Sequence, residues 1–465
     1  VTLLRWSAVR ERLRSSLWFW PSIAVVVALV AGVVLPRVEA GSDVATFGFS
    51  GTPEGARAVL ATVAGSLITV TSLTFSLTVV ALQVASSQFT PRLMGTFLAD
   101  RGNQAVLSVF LGTFTYTLAV LPSVRSESEA RGAFVPEVAV ALGLALTLVS
   151  VAMLVYFIHH LTQQLRVEAV LAEVQHDALK LIRAALPTRG ESPEPVDPPS
   201  VPQDAIRLRV RRGGYLQTVS LDGLRKVAVD HGMVVYLRPV VGTHLTVGST
   251  LAWAWPCDGA AGGRHEGGGD GPVLDDDAVE DLARRLHDGV HIGNERTLQQ
   301  DVAFSVRQLV DVAARALSPG INDPTTAVAA LGAMSTVLVE LVGRRLDPKI
   351  ATDGAGSVRV VVDQPTFGEI LALACDQPRR YGRAEPAVLT EVLHLLTDLA
   401  EVAHDDHHRE AIAVQVQATV SEAEDAGMTG DPLDRVRTAA RHAKAAIAAG
   451  GRLQSVPREV EEPAS

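Results

Sequence analysis

Four apolar stretches, Leu17–Leu35, Ala58–Gln88, Ala105–Leu121 and Val135–Ile158, lie before residue 160. Each is long enough to cross a bilayer at about 1.5 Å of rise per residue. Lipid offers the backbone no hydrogen bonds, so each stretch is predicted as a helix. The expected fold class is an α-helical membrane bundle of four transmembrane helices with a cytoplasmic α+β region. That region reads as a small β-barrel or sandwich followed by a helical domain. Hydrophobic residues make up 48% of the chain and mean hydropathy is +0.23, too apolar for an ordinary soluble enzyme.

The residues around these stretches set an expected orientation. Arg5, Arg10, Arg12 and Arg14 precede the first stretch, whereas the Arg37–Arg57 loop has only its two terminal arginines. The basic flank is expected to stay in the cytoplasm, which puts both termini there after four spans. Leu17–Leu35 is too long for a signal-peptide core, and Leu35-Pro36-Arg37 is not a cleavage site, so it reads as a first span. The expected location is the bacterial plasma membrane. A net charge of −10 argues against a nucleic-acid partner. Cys257 and Cys375 stand far apart without neighbouring ligand residues, so neither a disulfide nor a metal site is expected.

Residues 1–160 thus form the predicted membrane domain, and 161–186 an amphipathic connecting helix. Val167, Val170, Leu171, Val174, Ala178, Leu181 and Ile182 recur at helical spacing there. Residues 187–202 are a Pro-rich linker. From 203 to 256 the period becomes two, with Ile206, Leu208 and Val210 alternating with arginines, and glycines at turn positions. This is the predicted β-barrel or sandwich. A Gly- and acid-rich loop occupies 257–277, a helical domain 278–450 with one further strand at Ser357–Asp363, and a disordered tail 451–465.

The second apolar stretch carries the most informative pattern. No Asp, Glu, Lys or Arg interrupts it, yet Thr62, Ser66, Thr69, Ser72, Ser76, Gln83 and Ser87 fall within an arc of about 120° at helical geometry. Thr71, Thr74 and Thr78 lie on the opposite side. Two readings stay open. Small polar residues favour close helix packing, and uncharged hydroxyls can line a water-filled path and solvate a passing ion. None of the four spans has a central ionisable residue, which disfavours proton relays and voltage sensors. In Ser86–Gln104, Pro91 is predicted to end the helix. An amphipathic segment follows, read either as an interfacial helix or as a collar at a pore mouth with Arg92 and Arg101 attracting anions.

Beyond the spans, Asp323-Pro324 fits an N-cap and first helical position. Asn322, Asp323, Thr325 and Thr326 together also make a candidate site for a small ligand or cation. Asp301, Ser305, Gln308 and Arg315 fall on a helix face other than that of the Val/Leu stripe. His404–His408 reads as a solvated turn rather than a metal cluster.

The stretches Leu73–Tyr116 and Gln300–Ala327, which include LTFSLTVVALQVASSQFTPRLMGTF and SPGINDPTTA, resemble a bacterial predicted-membrane-protein family known only as domain of unknown function 2254. The resemblance runs over nearly the whole chain in the same order. It implies a membrane protein and marks Cys257–Asp277 as a local insertion. It implies no activity, cofactor or ligand. The functional expectation is an oligomeric channel-like protein with a cytoplasmic regulatory domain, its partners being the lipid bilayer, further copies of the chain and small ions. The alternative is a membrane-anchored sensor or scaffold. Neither a cofactor nor an enzymatic activity is expected, because no nucleophile, paired base or phosphate loop is present in the pattern.

Overall fold

Each apolar run folds as one helix in the computed structural model of the chain, which describes residues 18–40, 51–88, 100–125, 134–164, 166–189, 197–257 and 276–450. These helices are α1 (Phe19–Glu39), α2 (Pro53–Gln88), α3 (Arg101–Val120) and α4 (Glu137–Gln164). The chain divides into two units, Val1–Val170 and Leu171–Ser465.

In the first unit α3 packs against α1, α2 and α4. The α1–α3 crossing is close because Gly32 has no side chain. A Cβ built there would stand 2.6 Å from the Ala119 Cβ and 3.0 Å from the Tyr116 carbonyl oxygen. Small residues at such crossings let helices gain dispersion contact where lipid provides no hydrophobic drive. Two hydrogen bonds join buried polar groups across helices: the Tyr116 hydroxyl donates to the Ala139 carbonyl at 3.0 Å, and Ser150 to Thr113 at 3.2 Å. The Glu39 carboxylate accepts from the Val138 and Ala139 N–H groups at 3.1 and 2.8 Å, an anion at the positive end of α4. The outer faces of α1 and α4 are apolar, with Val26, Val27 and Val30 exposed on one and Leu148, Val151 and Val155 on the other.

The second unit opens within α5 (Val167–Ala185), whose stripe Leu171, Val174, Ala178 and Ile182 is buried. Then come β1 (Ile206–Arg209), β2 (Gly214–Val219), α6 (Leu221–Asp230), β3 (Met233–Leu237), β4 (His244–Leu245) and β5 (Thr250–Pro256). They are followed by α7 (Asp276–Asp288), β6 (Val290–Gly293), α8 (Val302–Ala316), α9 (Pro324–Val342), β7 (Lys349–Thr352) and β8 (Val358–Val362). Four helices end the unit: α10 (Phe367–Tyr381), α11 (Pro386–Val402), α12 (Asp406–Asp425) and α13 (Asp431–Ala449).

The β region draws on more of the chain than residues 203–256. Its strands form a five-stranded sheet of order β1-β5-β3-β8-β7 and a three-stranded sheet of order β4-β2-β6. β3 and β8 pair in parallel, Val235 opposite Val360. A parallel pair needs a long crossover, and the chain from β4 to β7 supplies it. The sheet region therefore draws β6, β7 and β8 from a stretch that reads as helical, and only β8 is expected there. Both sheets contribute to one core, in which Leu216, Val235, Leu251 and Val360 meet Leu224 of α6 and Leu282 of α7.

Five helices among the described residues are long and apolar enough to cross a membrane, one more than the sequence reading counts. The fifth is α9, which packs against α8 and α11. The face of α8 that carries Asp301, Ser305 and Gln308 is buried, and α8 packs against both α9 and α10. One further expectation changes. His408 is buried too, its ring 4.2 Å from that of Phe367, while Asp405 caps α12 and pairs with Arg189. The acidic insertion, the tail and the N-terminal arginine flank lie outside the described residues, apart from the insertion's two ends.

Candidate functional site

Helix α2 has two distinct faces. Leu60, Ala64, Leu67, Thr71, Thr74, Thr78 and Ala81 are buried, and Thr62, Ser66, Thr69, Ser72, Ser76 and Gln83 are exposed. The split follows the helical period, so the two hydroxyl stripes of the sequence are a packed face and an open one. Hydroxyls on both faces donate to the carbonyl four residues back: Thr62 to Ala58 at 2.7 Å, Ser66 to Thr62 at 2.8 Å, Thr69 to Gly65 at 3.1 Å and Thr71 to Leu67 at 2.6 Å. Each keeps its lone pairs available as acceptors. Leu73 and Val80 interrupt the open stripe, and Ile68, Phe75, Leu77 and Val79 are exposed beside it. Ser87 belongs to α2, but its side chain lies outside the described residues, as does Arg92 altogether.

Arg101 is exposed at the first position of α3. Beside it Asp100 caps the helix by accepting from the Gly102 and Asn103 N–H groups at 3.3 and 3.0 Å. Asp100 also meets His160 of α4 at 2.7 Å, and the His160 ring stacks on Tyr156. Gly102 is required here, since a Cβ would come within 2.5 Å of His160 Nε2.

The four residues at the start of α9 form a cap. The Asp323 carboxylate accepts from the Thr326 N–H at 3.1 Å and the Thr326 hydroxyl at 2.6 Å. Those bonds hold its carboxyl below the ordinary value. Asn322 adopts a left-handed conformation with φ 50, which turns the chain into the cap, and both Asn322 and Thr325 are exposed.

A cavity of about 340 Å³ lies in the second unit. Its walls come from the β2–α6 junction, the start of α8, the start of β7 and the β8–α10 connection. Ser220 caps α6 by accepting from the Gly223 N–H at 3.2 Å. Asp301 caps α8, accepting from Phe304 N–H at 2.9 Å while Arg296 donates to its other oxygen at 2.9 and 2.7 Å. Burial pushes the Asp301 carboxyl up in spite of Arg296. The Gln300 amide bonds both ways with the Val219 backbone, at 2.9 and 3.3 Å, extending the end of β2. Asp363 accepts from the Tyr236 hydroxyl at 2.7 Å. Burial, then that bond and the Asp363 charge, push the phenol to about 12. Lys349 faces the cavity from β7, and burial alone holds its ammonium below the ordinary lysine value.

The family model described as "Predicted membrane protein", domain of unknown function 2254, matches residues 14–398. The chain belongs to this family. It is 38% identical over 425 residues to an uncharacterized protein of Mycobacterium bovis, covering 91% of this chain and 79% of that one. The same figures hold for uncharacterized proteins of Mycobacterium tuberculosis strains H37Rv and CDC 1551. No solved structure matches. The chain is thus a predicted membrane protein with bacterial relatives.

Sequence reasoning found the α2 stripe and missed the cavity. Gln300, Lys349 and Asp363 stand far apart in the chain, and sheet pairing brings them together. The one available signal was compositional: Lys349 is one of only four lysines in a chain with 41 Lys and Arg in total, and it opens a strand.

Proposed function

We propose that this family member is an oligomeric, channel-like membrane protein whose copies meet through the open face of α2. The second unit acts as the regulatory part, and four spans put both termini in the cytoplasm of a bacterial plasma membrane. One contrast carries the reading. The exposed faces of α1 and α4 are Val- and Leu-rich, as lipid contact requires, whereas the exposed surface of α2 sets Thr62, Ser66, Thr69, Ser72, Ser76 and Gln83 among Ile68, Leu73, Phe75, Leu77, Val79 and Val80. Residues of this size and polarity suit helix–helix contact or a wet path better than acyl chains. Uncharged hydroxyls offer an ion weak ligands that do not trap it. The proposal involves no catalysis.

The test uses Thr69→Cys in full-length protein with Cys257 and Cys375 replaced by Ser and Ala. Oxidation in membranes should cross-link copies through position 69, and the same change at the packed Thr74 should not. Reconstituted protein should pass small ions, and Ser72→Leu or Ser76→Leu should abolish the flux. A monomeric Thr69→Cys protein with flux at the protein-free baseline would refute the reading. Cross-linking without flux would leave the second reading, a membrane-anchored sensor, which the cavity of the second unit favours.

A further inference from the structure

Lys349 occupies an unusual position for a lysine. It opens β7 opposite Val362 of β8. Residues paired across antiparallel strands share a sheet face, and Val362 belongs to the buried core. Lys349 therefore sits on the core side of the sheet, at the point where the core gives way to the cavity. Among the described residues its ammonium has no ion pair or hydrogen bond. A desolvated, unpaired charge is costly, and native structures retain one where something else supplies the counter-charge.

Of the other ionic groups in the wall, one is matched by a cation, one is solvated and one keeps its charge. Asp301 is held by Arg296 and the Phe304 N–H. Asp363 accepts from the Tyr236 hydroxyl, a neutral donor that leaves the carboxylate charge in place. The Asp222 side chain is 87% exposed. Lys349 is the cation among the lining residues, and among the described residues no carboxylate lies within ion-pair distance of it. The first residues of α6 and α8 also line it, and helix starts carry a partial positive charge. Val241, Leu346 and Pro365 supply an apolar wall, and Gln364 a neutral polar group. A volume of about 340 Å³ is at the lower end for pockets that enclose small organic ligands.

We propose that this cavity binds a small organic anion, with its phosphate or carboxylate against Lys349 and its uncharged body along the Val241, Leu346 and Pro365 wall. The site is independent of whether α2 lines a pore.

Full-length protein in detergent is melted alone and with inorganic phosphate, adenosine monophosphate, succinate or uncharged adenosine. The anionic organic probes should raise the melting temperature, phosphate should do so weakly, and adenosine should not. A response to adenosine monophosphate alone assigns a phosphate ester, and one to succinate alone a carboxylate. Lys349→Met should abolish the response. Without any probe, Lys349→Met should raise the melting temperature by roughly 2 °C, because it removes an unpaired, half-buried charge. The proposal is overturned if none of the anions shifts the wild type, or if Lys349→Met keeps the shift. It is also overturned if Lys349→Met lowers the melting temperature of the probe-free protein, since the ammonium would then have an internal structural role.

Discussion

Adding one methyl group at Gly32 tests how the membrane unit is held together. In Gly32→Ala the new carbon would stand 2.6 Å from the Ala119 Cβ. Carbon atoms in good contact sit about 3.5–4.0 Å apart, so α1 and α3 must separate by roughly 1 Å. The second close atom, the Tyr116 carbonyl oxygen at 3.0 Å, is backbone and cannot rotate away. Overpacking of this kind costs about 1–3 kcal/mol, and the backbone contact puts the expected cost in the upper half of that range. For a unit of this size each kcal/mol moves the melting temperature by about 2–4 °C. Full-length Gly32→Ala in detergent should therefore melt roughly 4–12 °C lower than wild type. Ala119→Gly removes the nearer atom and leaves the carbonyl contact. The double variant should thus be more stable than the sum of the two single effects, recovering part but not all of the loss. An unchanged melting temperature for Gly32→Ala, or strict additivity with Ala119→Gly, would refute the close-packed crossing.

Three further outcomes are expected. Burial would raise the Glu340 carboxyl, but hydrogen bonds and charges from Arg344 and Arg183 outweigh it and hold the group below its ordinary value of 4.5. Folding therefore gains from this carboxylate above about pH 4.5 and loses the gain as pH falls through the folded-state value. Accordingly, Glu340→Gln should melt lower than wild type near neutrality, and the gap should close in acid; parallel curves would contradict the pairing. Gly242→Ala places a Cβ 1.9 Å from the Asp301 carboxylate at a φ of +93, and should cost about 2 kcal/mol or more in a melt. Asp323→Ala should cost about 1 kcal/mol through loss of the α9 cap, and calcium should shift wild type and variant equally if capping is its whole role.

Much of the architecture is readable from local pattern, because most elements are dictated by their own residues. Pro386–Val402 is bounded by a first-turn proline and is found where periodicity puts it. The Asp323-Pro324 start of α9 is likewise a local capping choice. What escaped was non-local. β7 is a four-residue strand that exists because β8 pairs with it. α6 depends on a Ser220 cap and two buried residues, Leu224 and Ala228, too few to make a period visible. The cavity has no pattern in the chain at all, since its walls close only when β7 and β8 add to the sheet begun by β1.

Helix α9 shows where apolarity alone stops discriminating. Its best window has a mean hydropathy of 1.7, the same as that of α3. Yet 61% of that window is buried, against 17–39% in α1 to α4. An all-round apolar helix is stable either in lipid or inside protein, and the sequence of the helix itself is indifferent between the two. Its neighbours decide. Leu331, Met334, Leu338 and Leu341 are fully covered in the second unit. There Ser335 donates to Asp398 of α11 at 2.7 Å, and Glu340 pairs with Arg183 and Arg344. Those pairs tie α9 into its own unit through charged groups that acyl chains would leave unmatched. The helices of the first unit instead turn most of their apolar surface outward, where lipid is the solvent that makes such a surface stable.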